Sequence, residues 1–189
     1  MKQKTDSSLL DHAILYAVHA HANVARKGKG FPYIVHPLEA MTIVATITSD
    51  QELLAASVLH DTIEDTDTTF EQLKAEFGQR IAEIVEIETN INADCPENDD
   101  WYFRKNTSIE KISTAYRDAQ IVALGDKLSN MRAIALDYDR LGEELWQRFR
   151  VKDKNAVGWY YQSLVKALSP LADIPAYQEF KDLVVQVFG

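Results

Sequence analysis

The sequence predicts a single all-α domain over residues 1–189, built from about nine to ten helices. Apolar residues recur at helical spacing along almost the whole chain, and no segment alternates between apolar and polar residues as a β-strand does. The sequence has no repeats, low-complexity tracts or linkers. A chain of 189 residues with 46% hydrophobic content is long enough to bury one core, so we expect one compact unit.

Capping residues and helix breakers place the first two helices. Residues 6–8, Asp-Ser-Ser, favour a helix start, and we expect this helix to run to about Arg26 and to end at residues 28–30, Gly-Lys-Gly. Proline is favoured in the first turn of a helix, so Pro37 predicts a second helix that reaches about Thr48.

The third predicted helix carries the most distinctive residues of the chain. Asp50 caps this helix, and the pair His60-Asp61 lies within it. Thr68 and Glu71 then predict a capping box for a short helix that Gly78 ends.

Helical spacing resumes after Gly78 and continues to about Asn92. Residues 93–100 are acidic and contain a proline, which predicts a loop, and we expect this loop to act as a mobile flap near the site. Further helices are expected at 101–116, 120–138, 143–149, 153–168 and 175–188.

Residues 59–65 combine metal-type ligands and acids directly after an apolar run. His60 and Asp61 are adjacent, and Glu64 and Asp65 follow. Burying such groups is unfavourable unless a cation or a bound anion compensates them. On a helix, His60 and Glu64 share one face while Asp61 and Asp65 lie one step round, so we expect all four to point into one cleft. The alternative is a helix end whose acids are solvated.

Two further residues complete a candidate metal site. His36 precedes a proline that holds its imidazole at a helix start, and Asp126 follows an apolar helical run. Two histidines with two aspartates suit Mn, Fe, Co, Ni or Zn better than Ca, and the absence of thiolate argues against a structural zinc site. No histidine follows His60, so we expect one ion. Alternatively, His36 caps a helix and Asp126 pairs with Lys127 or Arg132.

These residues, in this order, resemble the HD-domain phosphohydrolase superfamily, and within it the small alarmone hydrolases and the hydrolase half of Rel/Spo-type proteins. The matching segments span most of residues 9–135 and include PYIVHP at 32–37, HDTIEDT at 60–66 and GDKLSNMR at 125–132. An HD pair alone is a weak signal, whereas the three segments in order are specific. Two departures are HANVARK at 21–27, where the family pattern is HxGQxRK, and Gly125, where the family has alanine.

The resemblance implies roles for individual residues and a single HD-type hydrolase domain over 1–189. It assigns metal binding to His36, His60, Asp61 and Asp126, water activation to Glu64 and Asp65, and nucleotide contacts to Arg26, Lys27 and Asn130, with Arg104 and Lys105 as weaker candidates for the pyrophosphate. The implied cofactor is one divalent ion, Mn²⁺. The structural alternatives are a basic last turn of the first helix at 26–27, a surface or capping role at 130, and a solvated helix face at 104–105.

The function that the resemblance implies is Mn²⁺-dependent hydrolysis of the 3′-pyrophosphate of (p)ppGpp to GDP or GTP and pyrophosphate, which degrades the alarmone signal. A first alternative is another nucleotide phosphohydrolase of this superfamily, a ppApp hydrolase or a 5′-nucleotidase. A second is a nucleotide-binding regulator that has lost its chemistry. Retention of all six candidate metal and catalytic residues argues against the second.

Composition restricts the expected partners. The net charge of −9 argues against a broad nucleic-acid surface, although a metal and local cations can still bind a small polyanion. No apolar run approaches the ~20 residues of a membrane span, and no signal-peptide core is visible. The single cysteine fits a reducing cytoplasm. We expect a cytoplasmic protein with a small nucleotide substrate, and a homo-oligomer is compatible with the sequence.

Overall fold

The structure is a computed structural model that describes residues 8–89 and 101–189. Within these ranges helices dominate, and the paired extended backbone is a single antiparallel bridge between Ala25 and Pro32. The all-α prediction is therefore confirmed. The helices are α1 (Ser8–Ala20), α2 (Val35–Ala45), α3 (Gln51–Leu59), α4 (Thr62–Asp65), α5 (Phe70–Phe77), α6 (Gln79–Glu88), α7 (Trp101–Thr114), α8 (Arg117–Leu141), α9 (Lys154–Ala167) and α10 (Pro175–Phe188).

Helix α3 lies at the centre of the bundle because, after Gln51 and Glu52, it carries no charged residue on any face. All its residues from 53 to 59 are buried. A helix without a polar face is stable only when other elements surround it, and α1, α2, α6 and α8 pack around α3. The C-terminal end of α3 therefore delivers the next residue, His60, into the interior.

Helix α8 is the longest element, with 25 residues and a length of about 37 Å. Its N-terminal half is buried, and it packs against α2 and α10. Gly125 permits the close approach to α2, because a Cβ at this position would lie 2.7 Å from Val44 Cγ2 and 2.9 Å from the Ala40 carbonyl oxygen. The replacement of alanine by glycine before Asp126 is thus a packing feature of this chain.

The first helix is shorter than predicted. It ends at Ala20, and the following backbone turns at Asn23, which has φ 64°. The segment then folds back on itself, since Arg26 N–H donates to Phe31 O at 2.9 Å and Tyr33 N–H donates to Val24 O at 2.8 Å. Arg26 and Lys27 therefore lie on a loop, and the alternative of a basic last helical turn is wrong.

The third helix also ends earlier than predicted, at Leu59, so the HD pair follows the helix and does not lie within it. Side chains bind the last carbonyl groups of α3: His60 Nδ1 lies 2.8 Å from Ser57 O, and Thr62 Oγ1 donates to Leu59 O at 2.7 Å. These bonds compete with helix continuation. The chain restarts as the single turn α4 after Asp61.

Other boundaries differ by a few residues. The capping box is formed by Thr69 and Gln72, one position later than predicted, and Asp50 caps α3 as expected. Residues 142–148 form a 3-10 helix, where a helix at 143–149 was predicted. Helix α8 begins before the predicted residue 120, whereas α10 has the predicted bounds. The predicted loop at 93–100, with its expected role as a flap, lies outside the described residues.

Nearly all buried apolar residues of the described ranges form one cluster, to which both α1 and α10 contribute. The prediction of a single domain over 1–189 agrees with this cluster and stays a prediction. None of the described helices has the length and apolar character needed to cross a membrane.

Candidate active site

The four predicted metal ligands lie together at the centre of the bundle. His36 Nε2 lies 3.0 Å from Asp126 Oδ1, and His60 Nε2 lies 2.9 Å from Asp61 Oδ2. The two remaining His–Asp distances, from His36 to Asp61 and from His60 to Asp126, are both 3.5 Å. Their side chains are almost fully buried apart from that of Asp61, which is 18% exposed. The interior thus concentrates two carboxylates and two imidazoles around one point.

Hydrogen bonds at the outer ring nitrogens orient both histidines. His36 Nδ1 lies 2.8 Å from Ser129 Oγ, and that hydroxyl donates to Glu39 Oε2 at 2.9 Å. Since Ser129 donates to Glu39, its oxygen accepts the Nδ1 proton of His36. His60 Nδ1 donates to Ser57 O. Both Nε2 atoms therefore face the centre. Metal-binding histidines are oriented in the same way, by a hydrogen bond at the other ring nitrogen.

A cation fits this centre. His36, His60 and Asp126 each offer a ligand atom, and these atoms all lie within 4.8 Å of one another. His60 Nε2 is buried and, although Asp61 Oδ2 lies 2.9 Å away, it makes no hydrogen bond of good geometry among the described residues. A buried ring nitrogen without a well-directed hydrogen bond is unfavourable, and a divalent cation would complete its bonding. The group could thus hold a divalent metal.

The two carboxylates also shift the pKa values of the neighbouring groups at this centre. Burial opposes a charged His60, but the negative charges of Asp61 and Asp126 raise the pKa of this imidazole well above its ordinary value. Burial likewise opposes a charged Asp61, and the positive charge of His60 holds the pKa of Asp61 below its ordinary value. The site therefore favours a positive charge between the two carboxylates.

A buried lysine next to the site was not predicted as a site residue. Lys127 Nζ donates to the second carboxylate oxygen of Asp126 and, at 3.0 Å, to Glu88 Oε2. Burial opposes a charged amine, but the carboxylates of Asp126 and Glu88 raise the pKa of Lys127 well above its ordinary value. The ion pair between Asp126 and Lys127, which the sequence left as an alternative to metal binding, thus coexists with the His–Asp cluster. This is possible because each carboxylate oxygen of Asp126 has its own partners.

Tyr33 is a second site residue that the sequence analysis missed. Its hydroxyl donates to Asp61 Oδ2 at 2.6 Å, and burial together with the Asp61 charge raises the pKa of Tyr33. The guanidinium carbon of Arg26 lies over the Tyr33 ring, 5.1 Å from the ring centroid. The signal was available, because Tyr33 stands in the segment that supplies His36.

Asn130 links the centre to the loop at Arg26. Its amide nitrogen donates to Asp126 Oδ1 at 2.5 Å, and its amide oxygen accepts from Arg26 Nη2. Asn130 lies one helical turn after Asp126, as predicted. The alternative of a surface or capping role for Asn130 therefore does not describe its contacts.

Two connected chambers open from the centre. The inner chamber, of about 240 Å³, is lined by His36, Asp61 and Asp126. The outer chamber, of about 410 Å³, shares a wall with it that includes Arg26, Tyr33 and Asn130. Seven of the chain's 20 Lys and Arg residues line the outer chamber: Arg26, Lys27, Lys29, Arg104, Lys105, Arg148 and Arg150. This acidic protein therefore concentrates positive charge beside its candidate metal site, which favours a small polyanion.

The two predicted catalytic acids lie in different surroundings. Glu64 is exposed and lines both chambers. Asp65 is also exposed and is not among the described residues that line either chamber, although its charge acts on Tyr33 and His21. The expectation that all four residues of the HD segment point into one cleft is wrong for Asp65, because the break after α3 changes the helical register.

The remaining substrate candidates, Lys27 and the weaker candidates Arg104 and Lys105, also lie on the chamber walls. Lys27 and Arg104 line the outer chamber, and Lys105 lines both. Lys105 Nζ lies 4.5 Å from the centroid of the Tyr160 ring. A fully solvated helix face, the alternative for 104–105, therefore does not describe these side chains, and both are only partly exposed.

Comparison with known proteins gives consistent matches. The HD domain family matches residues 13–153. Guanosine-3′,5′-bis(diphosphate) 3′-pyrophosphohydrolase MESH1 of Danio rerio is 35% identical over 153 residues, which cover 79% of each chain. The MESH1 protein of Homo sapiens is 34% identical over 153 residues, covering 79% of this chain and 80% of its own.

Two solved structures share the architecture. A metazoan ortholog of SpoT, described as hydrolysing ppGpp and acting in starvation responses, superposes with a TM-score of 0.79 at 22% identity, covering 97% of this chain and 98% of its own. The protein lmo0812 of Listeria monocytogenes EGD-e gives 0.73 at 26% identity, covering 85% of this chain and 100% of its own. The first likeness, at this identity, shows the fold alone.

Proposed function

Because the chain belongs to the HD domain family, we propose that it is a metal-dependent phosphohydrolase that removes the 3′-pyrophosphate of (p)ppGpp. The products are GDP or GTP and pyrophosphate, so this reaction degrades the alarmone of the stringent response. Relatives whose names state this activity are 34–35% identical to the chain over 79% of its length.

One observation carries the proposal: the buried His/His/Asp group lies at an inner chamber that shares a wall with an outer chamber lined by seven cations. A nucleotide with two diphosphate groups needs positive charge at both ends, and a metal centre beside a basic cavity supplies it. The remaining lining includes the aromatic side chains of Tyr160, Tyr161 and Phe149, which offer surfaces for a base or a ribose.

The ligand set of the proposed metal is His36, His60, Asp61 and Asp126, and the proposed ion is a single Mn²⁺. Nitrogen and oxygen donors without thiolate support this choice among divalent ions. When bound, such an ion polarises a phosphoryl oxygen and lowers the pKa of water. Ser129 and the Ser57 carbonyl hold the two imidazoles with Nε2 toward the centre, and Tyr33 holds Asp61.

In the proposed reaction, water adds to the phosphorus that is bonded to O3′, and the bond between this phosphorus and O3′ breaks. The water oxygen leaves within pyrophosphate, one water proton passes to Glu64, and O3′ takes up a proton to become the hydroxyl of GDP. Glu64 is suited to this task because it is exposed and lines both chambers. Asp65, which lies outside both, would act on Glu64 and Tyr33 through its charge.

The substrate contacts follow from the chamber walls. Arg26 and Asn130 lie at the boundary between the chambers, where the ribose and the 3′-diphosphate meet the centre. Lys105 also lines both chambers and would bind the departing pyrophosphate, while Lys27 and Arg104 face the outer chamber alone. A guanidinium presents a planar set of donors and an ammonium a compact charge, so both suit phosphate oxygens.

Incubation of the purified protein with ppGpp and Mn²⁺, followed by ion-exchange separation, tests the proposal. The expected products are GDP and pyrophosphate, absent in EDTA and in Asp61→Ala. Asp67→Ala, which removes an exposed acid that lines neither chamber, is the matched control and should retain activity. Intact ppGpp after incubation with the metal-loaded wild type would contradict the proposal.

The same assay separates the two alternatives. Loss of ppApp without loss of ppGpp, or orthophosphate from a nucleoside monophosphate, would identify another nucleotide phosphohydrolase. Bound metal without turnover of any of these substrates would identify a nucleotide-binding regulator. A cytoplasmic location is also proposed, on the basis of the single cysteine and the nucleotide substrate.

A further inference from the structure

The outer chamber has a basic end that the proposed metal centre does not use. Lys29 and Arg148 line the outer chamber and also a neighbouring surface hollow of about 580 Å³, but neither lines the inner chamber. Arg26, Tyr33 and Asn130 lie between, on the wall shared with the inner chamber. Lys29 and Arg148 therefore stand at the end of the cavity remote from the metal ligands.

One carboxylate organises these two cations. Asp137 Oδ2 lies 2.7 Å from Lys29 Nζ and 3.8 Å from Arg148 Nη1. The side chains of Lys29 and Asp137 are only 16% and 15% exposed, so this pair is held within the wall, whereas the side chain of Arg148 is 44% exposed and reaches toward solvent. Lys29 also donates to Ala133 O at 3.3 Å, and Arg148 to Gly28 O at 3.5 Å. These bonds join the loop after α1 to α8 and to the 3-10 helix at 142–148.

The charges at this end do not cancel. Asp137 supplies one negative charge against the two positive charges of Lys29 and Arg148. Such an excess of positive charge, partly enclosed, favours an anion with several oxygens. The arginine can present two parallel donors to a phosphate, and the lysine contributes a compact charge.

We propose that Lys29 and Arg148, held by Asp137, form the subsite for the 5′-phosphate groups of the substrate. This inference rests on the proposed function, since it takes the 3′-diphosphate to lie at the metal centre. The 3′ and 5′ positions are on different ribose carbons, so two diphosphates on one nucleoside diverge. With one at the inner chamber, the other extends along the outer chamber toward Lys29 and Arg148.

The subsite makes the number of 5′ phosphates a determinant of specificity. A nucleoside with a 3′-diphosphate and a free 5′-hydroxyl leaves both cations without their ligand, whereas a 5′-diphosphate occupies them. Loss of a hydrogen bond to a charged group costs on the order of tenfold in affinity or more. Substitution of either cation should therefore raise KM for ppGpp, leave kcat nearly unchanged, and not alter the kinetics of the 5′-hydroxyl substrate.

The first test measures binding of GDP and of guanosine to the full-length protein by calorimetry. GDP carries the 5′-diphosphate and requires no turnover. The wild type should bind GDP more tightly than guanosine. Arg148→Gln and Lys29→Gln should each lower the ratio of these two affinities about tenfold and leave guanosine binding unchanged. Arg140→Gln is the matched control, because Arg140 lines the neighbouring hollow but not the outer chamber.

Two results would overturn the subsite. One is a GDP preference that survives both substitutions, and the other is an equal loss of GDP and guanosine binding, which would place these cations against the nucleoside. Loss of the GDP preference in the variants, with no ppGpp hydrolysis by any form of the protein, would support the subsite and remove the proposed function. Hydrolysis of ppGpp together with an unchanged GDP preference in the variants would support the proposed function and overturn the subsite.

Discussion

Lys127 Nζ lies 3.0 Å from Glu88 Oε2 in the buried interior, where both residues line the inner chamber beside the candidate metal centre. The same ammonium group donates to Asp126, so one cation serves two carboxylates. Asp126 is thereby held with its other oxygen, Oδ1, toward His36 and Asn130. The position of the proposed metal ligand depends on a charge pair that lies outside the set of ligands.

Removal of this lysine should destabilise the protein strongly. Lys127→Met leaves two buried carboxylates without their cation, and breaking a buried ion pair in this way costs about 3–5 kcal/mol. Urea unfolding of the metal-free protein measures the loss. Arg80→Gln is the comparison, because Arg80 bridges Asp50 and Asp118 in a half-exposed network and should cost about 1 kcal/mol or less. Equal losses of stability in Lys127→Met and Arg80→Gln would contradict the stabilising role of the buried Lys127 pair.

Metal affinity should rise with pH. Burial opposes a charged His60, but the negative charges of Asp61 and Asp126 raise its pKa above the ordinary 6.5, so we expect the metal-free site to hold a proton near neutral pH. This proton stabilises the metal-free fold fully below pH 6.5, and that contribution is lost as pH rises through the raised value. A metal must displace the proton, so affinity should increase about tenfold per pH unit above 6.5 until His60 deprotonates. Calorimetry in buffers of different ionisation enthalpy should record proton release on metal binding. A metal affinity that does not change between pH 6.5 and pH 8 would contradict the prediction.

The hydroxyl of Tyr33 should contribute to metal binding through Asp61. Tyr33→Phe removes the 2.6 Å hydrogen bond and leaves the ring in place. Loss of such an outer partner lowers metal affinity or activity by about 10–100-fold. Tyr16→Phe is the control, since the Tyr16 hydroxyl lies 3.4 Å from Thr68 and lines neither chamber. Wild-type Mn²⁺ affinity and activity in Tyr33→Phe would show that Asp61 is held by other groups.

Glu64 and Asp65 should differ in their effect on turnover. Glu64→Gln keeps the shape of the side chain and removes its basicity, so we expect bound metal to be retained and kcat to fall by about 10²–10⁴-fold. Asp65→Asn should cause a smaller loss, because Asp65 lines neither chamber. Single-turnover kinetics with metal analysis of both variants separates these effects. Full activity in Glu64→Gln would remove this residue from the mechanism.

Gly125→Ala tests the packing of α8 against α2. Alanine favours the helix by roughly 1 kcal/mol over glycine, yet its Cβ would overlap Val44 and the Ala40 carbonyl, and overpacking costs about 1–3 kcal/mol. We expect a net loss of stability in urea unfolding. The double variant Gly125→Ala/Val44→Ala should show a favourable coupling, because it removes one of the two overlaps. A single variant more stable than the wild type would show that α2 moves away at little cost.

The sequence identified the residues of the centre because they lie in three short segments with strong local patterns. His36, His60-Asp61 and Asp126 were expected together, and the fold brings them within hydrogen-bond distance. The sequence placed the HD pair inside a helix, however, because helical spacing continues through it. The competing bonds of His60 and Thr62 to the end of α3 depend on side-chain rotamers, which spacing does not reveal.

Contacts between residues that are distant in sequence were harder to predict. Lys127 and Glu88 are 39 positions apart, and Arg148 contacts Gly28 across 120 positions. A buried Glu88 was not expected, since a helix pattern with an acid every few residues favours a solvated face. Such pairs are determined by how helices pack, which no single segment specifies.

The most direct test of the central claim is a titration of the chelated protein with Mn²⁺ while ppGpp hydrolysis and bound metal are followed in the same samples. If His36, His60, Asp61 and Asp126 hold one ion that the reaction requires, activity should rise in proportion to bound metal and reach its plateau at one ion per chain. Asp126→Ala should bind no ion and release no pyrophosphate. Full hydrolysis by the chelated protein, or activity that appears only after a second ion has bound, would contradict the claim.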